Sequence, residues 1–239
     1  MSGAVVIPAY NAARHVRALI ERVASAVPSE FSRWIVVDDG STDSTAAEVE
    51  ALRPRFPALS LVRRQRNGGY GAAMKDGLAC ATDGHAELVA CVHADGQYSP
   101  ERLPALVDAL RARNLDLLQG SRIASGTALS GGMPLYKYVA NAGLNLLENR
   151  VLGLGLTDYH SGYLVYGARA LALPFEKLSN SFDFDLELIA MARAHGLSVG
   201  EAPIPTHYGD EVSHLQPINY GLRVLRVLWN YTRGRYGAA

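Results

Sequence analysis

Short apolar runs alternate with longer helical patterns through the first half of the chain, and this alternation limits the fold more than any other feature. Ala4-Val5-Val6-Ile7 reads as a buried strand stopped by Pro8, and Ala13, Val16, Leu19, Ile20, Val23 and Val27 then recur at helical spacing. Trp34-Ile35-Val36-Val37 is the next strand, closed by Asp38-Asp39-Gly40-Ser41, with a helix from about Asp43 that Ser41 or Asp43 caps. The pattern predicts a strand over 59–63, a helix over 70–81, a strand over 88–93, a helix over 100–113 with proline in its first turn, and a strand over 115–119. Such alternation implies a parallel sheet covered on both faces. Open sheets of this kind bind ligands at the carboxyl ends of their strands. Polar clusters stand at three such ends: Pro8-Ala9-Tyr10-Asn11, Asp38-Asp39-Gly40-Ser41 and His93-Ala94-Asp95.

The second half has a different character. Residues 121–133 are rich in Gly and Ser and read as a mobile loop. A helix follows over 134–152 with Asn141, Asn145, Glu148 and Asn149 along one side. A strand over 162–167, a helix over 184–195, a strand over 197–204, a polar loop over 207–215 and a helix from 218 to about 233 complete the chain.

A chain of 239 residues can bury a full core without disulfides, and one continuous domain is the expectation, with residues 1–215 as its body and 216–239 as a basic amphipathic helix and tail. Lys+Arg and Asp+Glu are balanced at 23 each, which lacks the basic excess of a nucleic-acid binder. Cys80 and Cys91 do not make a zinc motif and read as thiols in a reducing compartment. A first strand reached almost at once, without a basic leader, predicts no signal peptide, and no apolar run reaches the ~18 residues of a spanning helix. These features predict a cytoplasmic protein, free or peripheral on the cytoplasmic membrane face.

Each polar cluster has chemistry. Two adjacent acids at a sheet's carboxyl edge carry a desolvation cost that a bare turn need not accept, and they suit a base N–H or a ribose hydroxyl. Asn67-Gly68-Gly69-Tyr70-Gly71 lacks the Lys-Ser/Thr ending of a phosphate loop and the spacing of a dinucleotide fingerprint, but its glycines allow close backbone approach at a helix start. In His93-Ala94-Asp95-Gly96-Gln97, a carboxylate, an imidazole and an amide oxygen alternate, a set that suits Mn²⁺, whereas Mg²⁺ prefers oxygen alone.

Taken in order, Val5-Val6-Ile7-Pro8-Ala9-Tyr10-Asn11, Val36-Val37-Asp38-Asp39-Gly40-Ser41-Thr42-Asp43, Asn67-Gly68-Gly69-Tyr70-Gly71 and Ala94-Asp95-Gly96-Gln97 resemble the family 2 glycosyltransferases. Gly120-Ser121-Arg122 and Asp158-Tyr159-His160-Ser161-Gly162-Tyr163 resemble the branch that makes polyprenyl-phosphate sugars. The resemblance spans about Ala4 to Leu215. It implies the α/β GT-A nucleotide-sugar transferase fold, a mostly parallel central sheet with helices on both faces. It also implies that a nucleotide diphosphate sugar binds across Pro8, Ala9, Tyr10, Asn11, Asp38, Asp39, Ser41, Gly69, Lys75, Ala94 and Asp95, with Asp39 the stronger of the two acids for the base. A divalent cation, Mn²⁺ or Mg²⁺, falls to Asp95 and Gln97, with His93 as a conditional third ligand. Its role is to neutralise the departing diphosphate.

The chain departs from the family in two places. Ala12 stands where a Glu is common, and His93 stands where the first acid of Asp-X-Asp is usual. A His ligand removes one negative charge and implies metal binding that weakens at acid pH; metal independence is the alternative.

The implied activity is inverting transfer to a polyprenyl phosphate at a membrane surface. That acceptor is already ionised and needs cations to hold it, for which Arg122 is the best match, with Lys137, His160 and His207 as further acceptor-side candidates. The alternative acceptor is a saccharide or other hydroxyl, for which Asp185 falls on the family's base position. A non-catalytic nucleotide-sugar-binding protein is a lesser alternative. So is a nucleotidyltransferase, which the absence of a basic Gly-rich loop after the first strand disfavours. From Gln216 onward there are four arginines and no acids, and Arg223, Arg226 and Arg233 share a helical face beside Leu222, Leu225, Leu228 and Trp229. That pattern suits either peripheral contact with anionic lipid or a helix packed on the domain with a solvated basic edge.

Overall fold

The computed structural model of the chain describes residues 2–205 and 217–237. The elements run β1 (Gly3–Ala9), α1 (Val16–Ala26), β2 (Phe31–Asp38), α2 (Thr45–Leu52), β3 (Leu59–Arg63), α3 (Tyr70–Asp83), β4 (Leu88–Cys91), α4 (Leu103–Ala112), β5 (Leu117–Ser121), α5 (Leu135–Leu152), β6 (Leu164–Gly167), α6 (Ala168–Leu171), α7 (Phe184–Ala194), β7 (Val199–Pro203) and α8 (Pro217–Thr232). The expected polar loop over 207–215, with His207 and His214, lies outside the described residues.

The seven strands form one sheet in the order β3-β2-β1-β4-β6-β5-β7. Alternation of side chains places a separate core on each face. Ala4 and Val6 of β1, Ile35 and Val37 of β2, and Val89 and Cys91 of β4 join α3, α5, α7 and α8 on one side. Val5, Ile7, Val36, Leu88 and Ala90 join α1 and α4 on the other. Both faces are apolar because both are covered, which is why these strands read as continuous hydrophobic runs.

One strand departs from the parallel expectation. β6 lies antiparallel between β4 and β5. It enters the sheet from the edge at which β4 and β5 end, so the segment before it, Asp158 to Gly162, lies at the same edge as the polar clusters. β4 is also shorter than expected. Its ladder with β1 ends at the pair Val6–Cys91, and His93 is free of the strand register.

The last helix is no loose appendage. Val224, Val227 and Leu228 are buried in the core shared with α5 and α7. Arg223 and Arg226 both reach the fully buried carboxylate of Asp183, at 3.1 Å each. Tyr236 donates to Glu187 of α7 at 2.8 Å.

Candidate active site

At the carboxyl ends of β1 and β2, short loops are tied to one another by side chains that accept backbone N–H groups. The Asn11 amide donates to Ser41 Oγ at 2.9 Å, and the Thr42 amide donates to Asn11 Oδ1 at 2.9 Å. Asn11 itself is held at φ 50°, a conformation Asn tolerates better than most residues. The Ala12 amide donates to Thr45 Oγ1, and the Ala13 amide to Asp43 Oδ2. Pro8 and Ala9 sit on β1, while the Tyr10 ring is half exposed at the rim.

The two adjacent acids are buried and satisfied. Asp38 accepts from the Ser41 amide at 3.0 Å. Asp39 accepts from the Gly68 and Gly69 amides at 2.9 and 2.8 Å, and Arg64 Nε lies 2.8 Å from its Oδ1. The glycine turn is therefore a cradle for a protein carboxylate. Gly69 is required there: its φ is +94°, and a Cβ would collide with the Asn180 carbonyl. A carboxylate has about four acceptor positions, so Asp39 keeps capacity for a base or ribose donor.

Lys75 of α3 is engaged within the protein. Its ammonium bonds the Leu178 carbonyl and Asn180 Oδ1, stapling α3 to the segment before α7. Burial lowers its pKa.

After β4, Ala94 is buried and its amide reaches back toward the Pro8 carbonyl at 3.4 Å. Asp95 is partly exposed and accepts from the Gln97 amide at 3.0 Å. Among the described residues, no three His, Cys, Asp or Glu side chains form a metal-holding group. A lone carboxylate with a nearby amide suits a divalent cation that takes its remaining oxygens from phosphates and water.

His93 is occupied in another direction. Its ring packs against Tyr70 and Tyr98, with both centroid separations 5.0 Å, and its Nε2 lies 3.3 Å from the Tyr70 hydroxyl. Burial lowers its pKa, the largest cause, against the opposing pull of Asp95. Tyr70 in turn donates to Asp185 Oδ2 at 2.8 Å. Asp185, in the first turn of α7, is buried, and its Oδ1 has no hydrogen-bond partner among the described residues. That burial raises its pKa to about 7, against the lowering effect of the Tyr70 hydroxyl.

The acceptor-side candidates are also engaged. Arg122 makes a bidentate pair with Asp158, Nε to Oδ2 at 2.8 Å and Nη2 to Oδ1 at 3.0 Å. Asp158 is fully buried, and despite that burial its pKa is lowered, with the Arg122 charge the first of the lowering causes. His160 Nδ1 lies 3.0 Å from the Tyr220 hydroxyl of α8, and its Nε2 lies 3.4 Å from the buried Glu148 of α5. Lys137 is half-buried in the first turn of α5. His207 lies outside the described residues.

Several residues of this arrangement carried little signal. Tyr70 sits inside the glycine motif, where only the glycines and their backbone attracted interest. Tyr98, which accepts the Gly162 amide at 3.0 Å, and Asp183, Glu148 and Tyr220 have partners distant in sequence and belong to no recognisable motif.

Comparison with known proteins agrees with this layout. The profile described as "Glycosyl transferase family 2" matches residues 4–172. The chain is 30% identical over 201 residues to an undecaprenyl-phosphate mannosyltransferase of Micrococcus luteus, covering 83% of this chain and 81% of that protein. It is 31% identical over 207 residues to a polyprenol monophosphomannose synthase of Mycolicibacterium smegmatis, covering 84% and 75%. The fold is similar to that of glucosyl-3-phosphoglycerate synthase from Mycobacterium tuberculosis, solved in complex with Mn²⁺, UDP-glucose and phosphoglyceric acid. The TM-score is 0.70 at 18% identity, covering all of this chain and 81% of that one. Matching motifs, a matching profile over most of the chain and a GT-A sheet with its polar edge lead to one assignment: the chain belongs to glycosyl transferase family 2.

Proposed function

We propose that this glycosyltransferase moves a sugar, with inversion at C1, from a nucleotide diphosphate sugar to the phosphate of a polyprenyl lipid at a membrane surface. The nucleotide lies across Pro8, Tyr10 and Asp39, and the diphosphate lies beside Asp95. A phosphate oxygen of the acceptor forms the new bond to C1 from the face opposite the leaving group. The bond from C1 to the diphosphate breaks, and its electron pair leaves with the nucleotide. A divalent cation held by Asp95 and Gln97 supplies charge neutralisation for that leaving group. Arg122 orders the acceptor side by fixing the Ser121 loop to Asp158.

The observation that carries the acceptor class is the apolar exterior of α5 and α8. Leu135, Tyr136, Val139 and Leu146 on α5 are exposed, as are Leu222, Leu225 and Trp229 on α8. The two helices pack together. Apolar residues exposed in such number mark an interaction surface. Among the described residues, no helix is long and apolar enough to cross a membrane, which leaves peripheral contact as the mode available to this surface. The relatives named for undecaprenyl-phosphate and polyprenol substrates support the same acceptor. Arg223 and Arg226, although bonded to Asp183, are 44% and 57% exposed, which leaves their charge near the surface where anionic lipid would lie.

The test is transfer from labelled UDP- and GDP-sugars, with Mn²⁺ or Mg²⁺, to undecaprenyl phosphate in anionic vesicles, read as product and as anomeric configuration by NMR. The expected product is an inverted sugar phosphate lipid, and Leu225→Glu with Trp229→Glu should abolish vesicle co-sedimentation. Transfer only to saccharide hydroxyls would overturn the lipid reading. It would favour the second one, in which Asp185 acts as base. Its pKa near 7 is the observation on that side.

A further inference from the structure

His93, Tyr70 and Asp185 come from β4's end, the start of α3 and the start of α7, and one hydroxyl joins them. Above its pKa of about 7, Asp185 is ionised and its Oδ2 accepts the single proton of the Tyr70 hydroxyl at 2.8 Å. The hydroxyl oxygen is then the acceptor in the 3.3 Å contact with His93 Nε2. A neutral imidazole carries one N–H, so the proton sits on Nε2 and the lone pair on Nδ1. Gly162 closes the arrangement. A Cβ there would collide with His93 Nε2 and crowd Asp185 Oδ2, and its backbone hydrogen-bonds the ring. The Tyr70 ring is clamped by Phe182, stacked at 6.0 Å, and by the edge contact with Phe184 at 6.4 Å. Every member of the chain is thus held on more than one side, and the hydroxyl joins His93, two residues before Asp95, to the start of α7.

We propose that Tyr70 is a positioning residue of the transfer reaction: by accepting from His93 Nε2 and donating to Asp185, it fixes the His93 tautomer and anchors the loop that carries Asp95 to the start of α7. An imidazole whose second nitrogen donates into a carboxylate-terminated chain is the usual way to orient a ring beside a cation. Here the chain makes Nδ1 the only ring atom able to accept. It also explains how a histidine substitutes for an acid at this position without loosening the loop. The acid's contribution to position is replaced by a strut across the sheet edge.

The test has two arms. Long-range ¹H–¹⁵N NMR of the wild-type protein, at a pH well above the Asp185 pKa of about 7, reads the His93 tautomer with no donor or acceptor present; Nε2–H is expected, and an Nδ1–H ring would overturn the proposal. This arm is independent of the function proposed above. The second arm rests on that function for its kinetics. Tyr70→Phe keeps the ring contacts and removes both hydrogen bonds. It should lose ~10–100-fold in Mn²⁺ affinity in the presence of UDP, read by electron paramagnetic resonance, and a similar factor in kcat, with KM for the donor nearly unchanged. His93→Gln should cost about as much, and the double variant no more than either, because one chain has been broken once or twice. Additive losses, or wild-type Mn²⁺ affinity in Tyr70→Phe with native near-ultraviolet dichroism, would overturn the proposal. Failure of the wild-type protein to bind UDP with Mn²⁺ would count against the donor reading and leave the tautomer result standing.

Discussion

The two sides of the sheet edge handle buried carboxylates by opposite means. On the donor side, Asp38 and Asp39 are met by backbone amides of their own or neighbouring loops: Ser41, Gly68 and Gly69. On the acceptor side, the carboxylates are met by side chains from distant elements. Asp158 pairs with Arg122, Asp183 with Arg223 and Arg226, and Glu148 with His160. Amide cradles make the loops rigid while leaving lone pairs for a nucleotide, and at Asp39 the Arg64 guanidinium 2.8 Å away is added to the amides. Ion pairs between elements hold helices in place, and their stability depends on both partners being present. The donor side is a preformed cradle, and the acceptor side is an assembly of helices pinned by charge with an apolar exterior.

The largest expected effect tests the second half of that contrast. Asp158→Ala removes a fully buried carboxylate and leaves Arg122, whose side chain is 13% exposed, without its main partner. Breaking such a pair costs about 3–5 kcal/mol. Urea unfolding should show this as a lower midpoint with an unchanged slope. A loss under about 1 kcal/mol, typical of a solvated pair, would break the comparison.

How far the sequence revealed these two sides follows from the same difference. Amide cradles form between residues close in sequence or on adjacent parallel strands, so Asn11, Ser41 and the Asp38-Asp39 turn stood out as clusters. The strands β1, β2 and β4 were legible for a similar reason, since a short continuous apolar run is a local feature. Ion pairs such as Asp183 with Arg223 depend on tertiary docking, and nothing local distinguishes those arginines from a basic membrane face. The antiparallel β6 was hidden as well, because a strand's direction depends on where its preceding loop crosses. His93 was recognised as a departure from the family, but its partner Tyr70 read only as part of a glycine turn.

A second expected effect concerns Asp185, which belongs to neither scheme, having one hydroxyl donor and, among the described residues, one oxygen without a partner. Its pKa is about 7 in the folded protein against an ordinary value of 3.8. The folded state therefore keeps a proton that the unfolded chain releases. Its stabilising contribution is full below the unfolded value and is lost as pH rises through about 7. Stability should fall between pH 4 and 7 with a contribution of up to about 1.4 kcal/mol per pH unit from this group. Asp185→Asn keeps an oxygen for Tyr70 and removes the titration, so unfolding measured across that range should lose this slope. The same variant separates the acceptor classes: transfer to a phosphate should survive it, and transfer to a hydroxyl should not.

Asp95 tests the donor side where it meets the diphosphate. Asp95→Ala removes the only carboxylate of the loop, and kcat should fall by at least ~100-fold, equivalent to about 2.7 kcal/mol of transition-state stabilisation. Thermal stability should change little, because Asp95 is partly exposed and accepts from the neighbouring Gln97 amide, a local turn contact. Isothermal calorimetry should show UDP binding that no longer responds to Mn²⁺. Retained metal response would move the cation away from this loop.

The smallest effect is the sharpest probe of preorganisation. Ser41→Ala removes one acceptor, the hydroxyl that receives the Asn11 amide at 2.9 Å, from a solvent-exposed part of the cradle. Stability should drop by only about 0.5–1 kcal/mol, since water can replace the lost partner. Asn11, however, holds a left-handed backbone at φ 50° and accepts from the Thr42 amide in return, so the hydroxyl is part of what Asn11 itself contributes to keeping the β1 and β2 loops in register. Without it the loops must be ordered by the nucleotide itself, and that cost appears in binding. UDP affinity should therefore weaken by up to about fivefold while kcat at saturating donor stays within about twofold. If kcat falls more than affinity, the loop pair acts on the transition state, and the donor side is an adjustable part of the machinery as much as the pinned helices opposite it.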